Sequence, residues 1–345
     1  MTVLLALALV TFALSGAGPT LAQPHLVWIY PLGSSFPVSV SAGRVGVFVA
    51  GGSEARRYDF DGSLVWTRQV GHLPYAVALG VASGLDGIYV VGFYSFVQKL
   101  DFNGNLIWSS QFGGLEGSHA ESVSVDSTGV YVAGGSDFAS RQSIGIVEKF
   151  DHSGNEMWTR QIHAMGFSTV MSGISVGPKG VYVVGGNSCP AHQRCPSAGG
   201  GVFLKAFDHD GNELWTQQSG AYGAPISVGP TGLYAISNNL LAKYDFNGTQ
   251  LWAVGSGLTE TIARGVSATP TGIYVVGMSF KGGTFEAYVQ RFDSRGVLVS
   301  SMTFGAPTQD TFTYAVDVFA SPRGIFVSGS DFIAKVCASP SCIHN

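Results

Sequence analysis

Apolar positions along this chain come in short runs closed by Gly, Asn or Asp, and no stretch after residue 22 sustains a helical period. Glu121–Gln161 shows the pattern most clearly. It holds four runs, Ser122–Val125, Val130–Gly134, Ile144–Phe150 and Glu156–Gln161, here termed strands A to D. Val, Ile, Tyr and Phe dominate them, and β-branched and aromatic side chains suit a pleated surface. Asn-Gly and Asp-Gly supply the positive φ of tight hairpins, so C and D are joined by one. A and B show no polar face, the pattern of a sheet covered on both sides.

Copies of this unit fill the chain. DFDGSLVW ends at Trp66, DFNGNLIW at Trp108, DHSGNEMW at Trp158, DHDGNELW at Trp215 and DFNGTQLW at Trp252. HLVW, ending at Trp28, is a D strand without its turn, and DSRGVLV is a degraded copy with Val299 read at the tryptophan position. Successive markers fall 37 to 57 residues apart, which is blade-sized. Strands B and C each recur seven times. D does so only if Leu26–Tyr30 is counted, and the C-terminal unit Tyr314–Val336 lacks one. The pattern predicts an all-β, seven-bladed β-propeller of four-stranded blades, its last blade closed by the N-terminal strand. Leu26–Tyr30 then pairs beside Asp331–Val336, with Trp28 buried in the last blade, and closure removes the exposed sheet edges.

The repeating G-[VI]-Y-V-x-G and K-[FY]-D-x-x-G-N-x-x-W signatures, preceded by a small-residue strand, resemble those of the SBBP family of secreted prokaryotic β-propeller repeats. The resemblance covers residues 26 to 337 and implies the propeller fold and export. It carries no general activity and no site residues. Unit four, with its insertion, and unit seven depart most from the pattern.

Residues 1–22 read as a cleaved signal peptide: Val3–Leu14 is apolar but short of a membrane span, and Thr20-Leu21-Ala22 offers a small-residue cleavage site. Residues 23–345 then form one propeller domain, secreted to an extracellular or periplasmic space and expected to be monomeric. A net charge of −4, with no cluster of Lys and Arg, argues against nucleic acid as a partner.

The recurrent D-x-[DNS]-G has the opening spacing of a calcium loop but lacks the later bidentate Glu, so it reads as a turn. A cation recurs at Arg57, Lys99, Lys149, Lys205, Lys243, Arg291 and Lys335; each long stem is expected to pack on the next blade. No catalytic or phosphate-binding motif is present, and no cofactor or metal site is read. D–A and B–C connections emerge on one face and vary in chemistry, whereas the C–D turns of the other face are alike. A ligand, an extracellular protein or glycan, is therefore expected on the variable face, at His72, Tyr75, Glu116, His119, Glu121, His163, Tyr222, Glu260, Arg264 and Asp310. The leading reading is a binding scaffold without catalysis. The alternative, an extracellular lyase or glycan hydrolase, requires at least two of Glu116, His119, Glu121, His163, Glu260 and Asp310 to converge near the axis. A quinone-dependent dehydrogenase is suggested only by the Gly-x-x-x-Trp endings, without the blade number and carboxylate set such enzymes use.

Four cysteines stand as two close pairs, Cys189/Cys195 and Cys337/Cys342. Export favours disulfides, while a zinc reading of Cys189, His192 and Cys195 lacks a fourth ligand. Non-reducing peptide mapping of the exported protein is expected to return Cys189–Cys195 and Cys337–Cys342; a bridge between the two pairs, or four free thiols, contradicts this.

Overall fold

The computed structural model describes residues 24–32, 37–73, 75–114, 117–136, 143–163, 168–188, 201–219, 225–237, 239–255, 257, 261–281, 283–305, 313–337 and 342. Residues 1–22, expected to be a signal peptide, and the Cys189/Cys195 pair lie outside them. Within the described residues every sheet is a four-stranded antiparallel meander, and there are seven. Strand A runs at Pro37–Ala42, Ala78–Ser83, Ser118–Asp126, Ser168–Gly177, Ile226–Gly229, Thr261–Thr269 and Ala315–Ser321 in blades 1 to 7. Consecutive A strands are neighbours, and the seventh returns to the first, so the blades form a ring. His25–Pro31 pairs antiparallel with Phe332–Cys337 and supplies the fourth strand of blade 7, closing the ring as the strand count requires. A Cys337–Cys342 disulfide ties the chain end to that blade.

The core lies between blades. One cluster joins Phe48, Ala50 and Trp66 of blade 1 to Val81, Val90 and Phe96 of blade 2, and equivalents recur around the ring. Each marker tryptophan packs 6.0–6.3 Å from the aromatic residue of its own strand B, as in Tyr89–Trp108, Tyr131–Trp158 and Phe326–Trp28.

The tryptophan also reaches the next blade. Its indole N–H donates to the carbonyl that follows the turn aspartate there: Trp28 to Phe60, Trp66 to Phe102, Trp108 to His152, Trp158 to His209 and Trp215 to Phe246, at 3.0–3.2 Å. The recurrent cation converges on this row of carbonyls. Arg57 donates to Phe102, Lys99 to His152, Lys149 to His209, Lys243 to Ser294 and Lys335 to Phe60. The turn glycine closes the clasp: at Gly154, with φ 90°, a Cβ would stand 2.7 Å from the Trp108 ring.

The turn aspartates are occupied by the turns themselves. Asp151 Oδ1 accepts the N–H groups of Ser153 and Asn155, and the Asn155 side chain donates to Oδ2. Those donors, the Asn155 side chain foremost, hold Asp151 below the usual carboxylate range. This is turn chemistry, as the sequence implied.

Three expectations need correction. The register sets Arg57, Lys99, Lys149 and Lys243 opposite Trp66, Trp108, Trp158 and Trp252, and Arg291 opposite Ser300, so the degraded tryptophan position is Ser300 and not Val299. The next blade is the seventh, whose C and D strands come from opposite chain ends, so the C–D hairpin that the other tryptophans clasp is not formed there. Secondly, Lys205 does not join the clasp. Blade 4 has one more residue before its aspartate, so Ala206 stands opposite Trp215. A one-residue shift turns Lys205 to the other face, where it pairs with Glu213 at 2.6 Å, and Lys179 covers the Phe246 ring instead, at 4.6 Å. Thirdly, Trp28 is half-buried at the junction of blades 7 and 1, beside Phe60 and Phe326, rather than enclosed in blade 7.

Glu148 lies under the loop that leads to strand A of blade 3 from the preceding blade. It is 2% exposed and accepts the Gly113 N–H at 2.8 Å. Gln98 holds the same position one blade earlier and accepts the Gly71 N–H. Burial pushes Glu148 up to about 7, against the pull of the Gly113 donor. The fold therefore favours the protonated acid. The associated stability is complete below the ordinary value of 4.5 and is lost as pH rises through about 7.

Two outcomes are expected in equilibrium urea unfolding. Glu148→Gln removes the fall in stability between those pH values and is more stable than the parent at pH 8 by about 1–3 kcal/mol; an unchanged pH profile contradicts this. Trp66→Ala costs about 3–5 kcal/mol and Trp28→Ala, less enclosed, about 2–3 kcal/mol.

Candidate functional site

The B–C connection of blade 2 is the three residues Phe93-Tyr94-Ser95 between the paired Gly92 and Phe96, and its tip residues Tyr94 and Ser95 have φ of 67° and 61°. Such paired left-handed residues form the hairpin turn that Asn and Gly usually supply, and a bulky Tyr there is strained. The tip is pinned: Phe93 N–H donates to the Val77 carbonyl, Phe112 N–H to the Ser95 carbonyl, and Ser95 Oγ to the Ser118 carbonyl. It holds Tyr94 half-exposed, at 50%, edge-on to Tyr75 with ring centroids 5.0 Å apart. Leu73 and Phe93 add exposed apolar surface beside them. Below the tip lies a cavity of about 520 Å³ lined by Leu73, Phe93, Tyr94, Gln111, Ser118 and His119 among others. An adjoining hollow shares Leu73, Tyr94 and Gln111 and adds His72.

Three of the sequence candidates, His72, Tyr75 and His119, thus lie around these two hollows where blades 1, 2 and 3 adjoin. His72 Nε2 lies 3.1 Å from Ser109 Oγ on the outer wall. Tyr75 forms part of the aromatic cluster. His119 is only 7% exposed, stacked against Phe93 at 5.6 Å, and its Nε2 lies 3.4 Å from Glu121 Oε1. Glu121 faces the central channel, a cavity of about 530 Å³ along the ring axis. Arg264 lines the same channel from blade 6, its guanidinium 5.1 Å over the Tyr314 ring. His163 stands apart, in a hollow with Arg160, Lys205 and Glu213. Glu116, Tyr222, Glu260 and Asp310 lie outside the described residues.

Sequence reading missed Leu73, Phe93 and Tyr94. The available signal was Gly92-Phe93-Tyr94-Ser95-Phe96, a hairpin too short for a loop and lacking the turn residues its geometry demands. The rim combines ring faces with amide, hydroxyl and imidazole groups, chemistry suited to holding a partner. Of the six residues named for an enzyme, the described ones that meet are His119 and Glu121. Among the described residues no three His, Cys, Asp or Glu side chains come together to hold a metal ion.

Channel walls below the mouth are already bonded. Ser39, Ser41, Ser122, Ser124, Ser175, Ser227 and Ser267 each accept a backbone N–H from strand A of the next blade, at 3.0–3.3 Å. At the closure Asp317 takes this part, accepting Val40 N–H, Ser39 Oγ–H and its neighbour Val318 N–H. Its depth pushes the carboxyl pKa up despite those donors. Among the described residues no helix is long and apolar enough to cross a membrane.

No protein-family model matches the chain, and no curated protein matches it. Solved structures do. The WD40 domain of Pan2 from Neurospora crassa superposes with a TM-score of 0.65 at 11% identity, over 92% of this chain and 95% of that one. The WD40 β-propeller domain of Doa1 does so with a TM-score of 0.64 at 14% identity, over 94% and 100%. BamB from Moraxella catarrhalis gives a TM-score of 0.55 at 12% identity, over 91% and 98%. At these identities the likeness is one of fold, and the chain is an all-β, seven-bladed β-propeller.

Proposed function

We propose that the protein is an exported binding scaffold of the SBBP type, a single-domain monomer that captures an extracellular protein or glycan at the rim of blades 1 to 3. The observation that carries this reading is Tyr94. A hairpin whose only task were to join two strands would carry Gly or Asn at its tip. This one keeps an aromatic residue in a left-handed conformation, exposed and braced against Tyr75, and strain of this kind gathers at functional sites. Exposed aromatic side chains with polar groups beside them make contact area at low entropic cost. The Cys337–Cys342 bridge accords with an oxidising compartment, and the propeller folds of Pan2, Doa1 and BamB make a scaffold role an apt analogy. The enzyme alternative rests on the His119–Glu121 contact beside the channel.

A glycan and cell-wall polymer array, followed by affinity capture of extracellular proteins, tests the assignment with the mature protein. Tyr94→Ala and Tyr75→Ala are each expected to weaken capture about tenfold, a cost ordinary for an interface aromatic, while Arg295→Ala on the opposite face leaves it unchanged. Capture that survives both tyrosine changes but fails with Arg295→Ala overturns the face. Turnover of an arrayed polymer, lost with His119→Ala or Glu121→Ala, replaces the scaffold reading with the enzyme one.

A further inference from the structure

The two hollows at the rim of blades 1 to 3 adjoin and share Leu73, Tyr94 and Gln111. The larger, of about 520 Å³, extends to Ser118 and His119, and the smaller, of about 340 Å³, to His72, Ser109 and Ser110. Each is of the size that holds a small ligand or one unit of a longer one. A ligand that fills both runs along Tyr94 and Gln111.

The lining is uncharged. Among the described residues around the two hollows there is no lysine, arginine, aspartate or glutamate. The other cavities differ: the axial channel has Glu121, Arg264 and Asp317, and the hollow at His163 has Arg160, Lys205 and Glu213. Enclosing an ionised group without a partner is costly, so the rim selects against charged ligands. What it offers is polar and neutral. The exposed Gln111 amide, at the end of strand D in blade 2, has no hydrogen-bond partner among the described residues, and neither has the Tyr94 phenol. An amide supplies two donors and an acceptor, and a phenol one of each. The Tyr94 ring beside them is braced by Tyr75, so it is set in place before a ligand arrives. Main-chain groups of the hairpin are already taken: the Phe93 N–H goes to Val77, and the Ser95 carbonyl accepts from Phe112. A peptide that pairs through its own main chain therefore finds little here.

We propose that the rim takes a neutral oligosaccharide of at least two sugar units, bound across both hollows. The apolar face of one sugar ring lies on Tyr94, whose negative π face attracts polarised C–H groups, while its hydroxyls exchange hydrogen bonds with Gln111 and the phenol. A second unit occupies the adjoining hollow. This inference rests on the rim being the working surface, and it narrows the partner there to a glycan.

Isothermal titration of the mature protein tests this with glucose, mannose, xylose and N-acetylglucosamine, each as the single sugar and as short neutral β-1,4-linked oligomers, and with oligogalacturonate as the acidic control. At least one neutral series is expected to bind, its two-unit form about tenfold or more tightly than the single sugar, with little dependence on salt. Tyr94→Ala and Gln111→Ala should each weaken that binding about tenfold, whereas Tyr94→Phe, which keeps the ring, should retain most of it. Thermal unfolding checks that the variants fold. No binding by any neutral series overturns the glycan assignment; where Tyr94-dependent capture of a protein persists, the rim still stands as the working surface. Oligosaccharide binding untouched by both alanine changes overturns the glycan site and the rim together. A preference for oligogalacturonate, or no gain from one sugar unit to two, overturns the neutral ligand that spans both hollows.

Discussion

The clasp between one blade's tryptophan and the next blade's turn is the interaction on which the ring depends. An indole N–H and, in most blades, a cationic side chain donate to the row of carbonyls that follow the turn aspartates, while the turn glycine lets the ring come close. Each component constrains another. The carbonyl is presented only if the aspartate caps the turn, and the indole reaches it only if strand D keeps its register. A turn glycine replaced by a larger residue would meet the ring. The apolar clusters supply most of the burial, but they are non-directional. The clasp is directional and sets how each blade meets the next.

The inner edge has its own solution. Strand A has no partner strand on the channel side, so its N–H groups would be left to water. Serine hydroxyls from the preceding blade accept several of them, and Asp317 does so at the closure, where the two chain ends meet. Small residues are needed because neighbouring A strands approach closely: a Cβ on Gly265 would lie 3.0 Å from Asp317 Cα. Walls built this way offer a ligand little.

Scaffold and variation therefore divide by height along the axis. The C–D turns on one side are committed to blade contacts, and their carboxylates are consumed by local donors. The D–A and B–C connections on the other side differ from blade to blade, and there Tyr94 is held in a strained but pinned hairpin and Glu121 and Arg264 line the channel. The two features differ in character. The rim is aromatic and open, whereas the channel wall carries the ionisable groups of Glu121 and Arg264.

By itself the sequence determined the repeat, the number of blades, the turn chemistry and the closure by the N-terminal strand. These follow from local patterns, and a missing fourth strand at one end with a spare strand at the other admits one pairing. Most of the clasp's residues were also legible, because the same tryptophan, cation, aspartate and glycine recur. Only the tertiary structure decided what depends on register and on contact between blades. One extra residue before Asp208 turned Lys205 away from the clasp, and alignment by pairing moved the lost tryptophan to Ser300. His119 and Glu121, two residues apart, read as ligand candidates on one variable connection, yet packing against Phe93 buried one, while the other lines the axial channel. Which side chains meet at the rim was hidden for the same reason: a shift of one residue reverses a side chain in a strand, and the partners that reveal the shift lie one or more blades away.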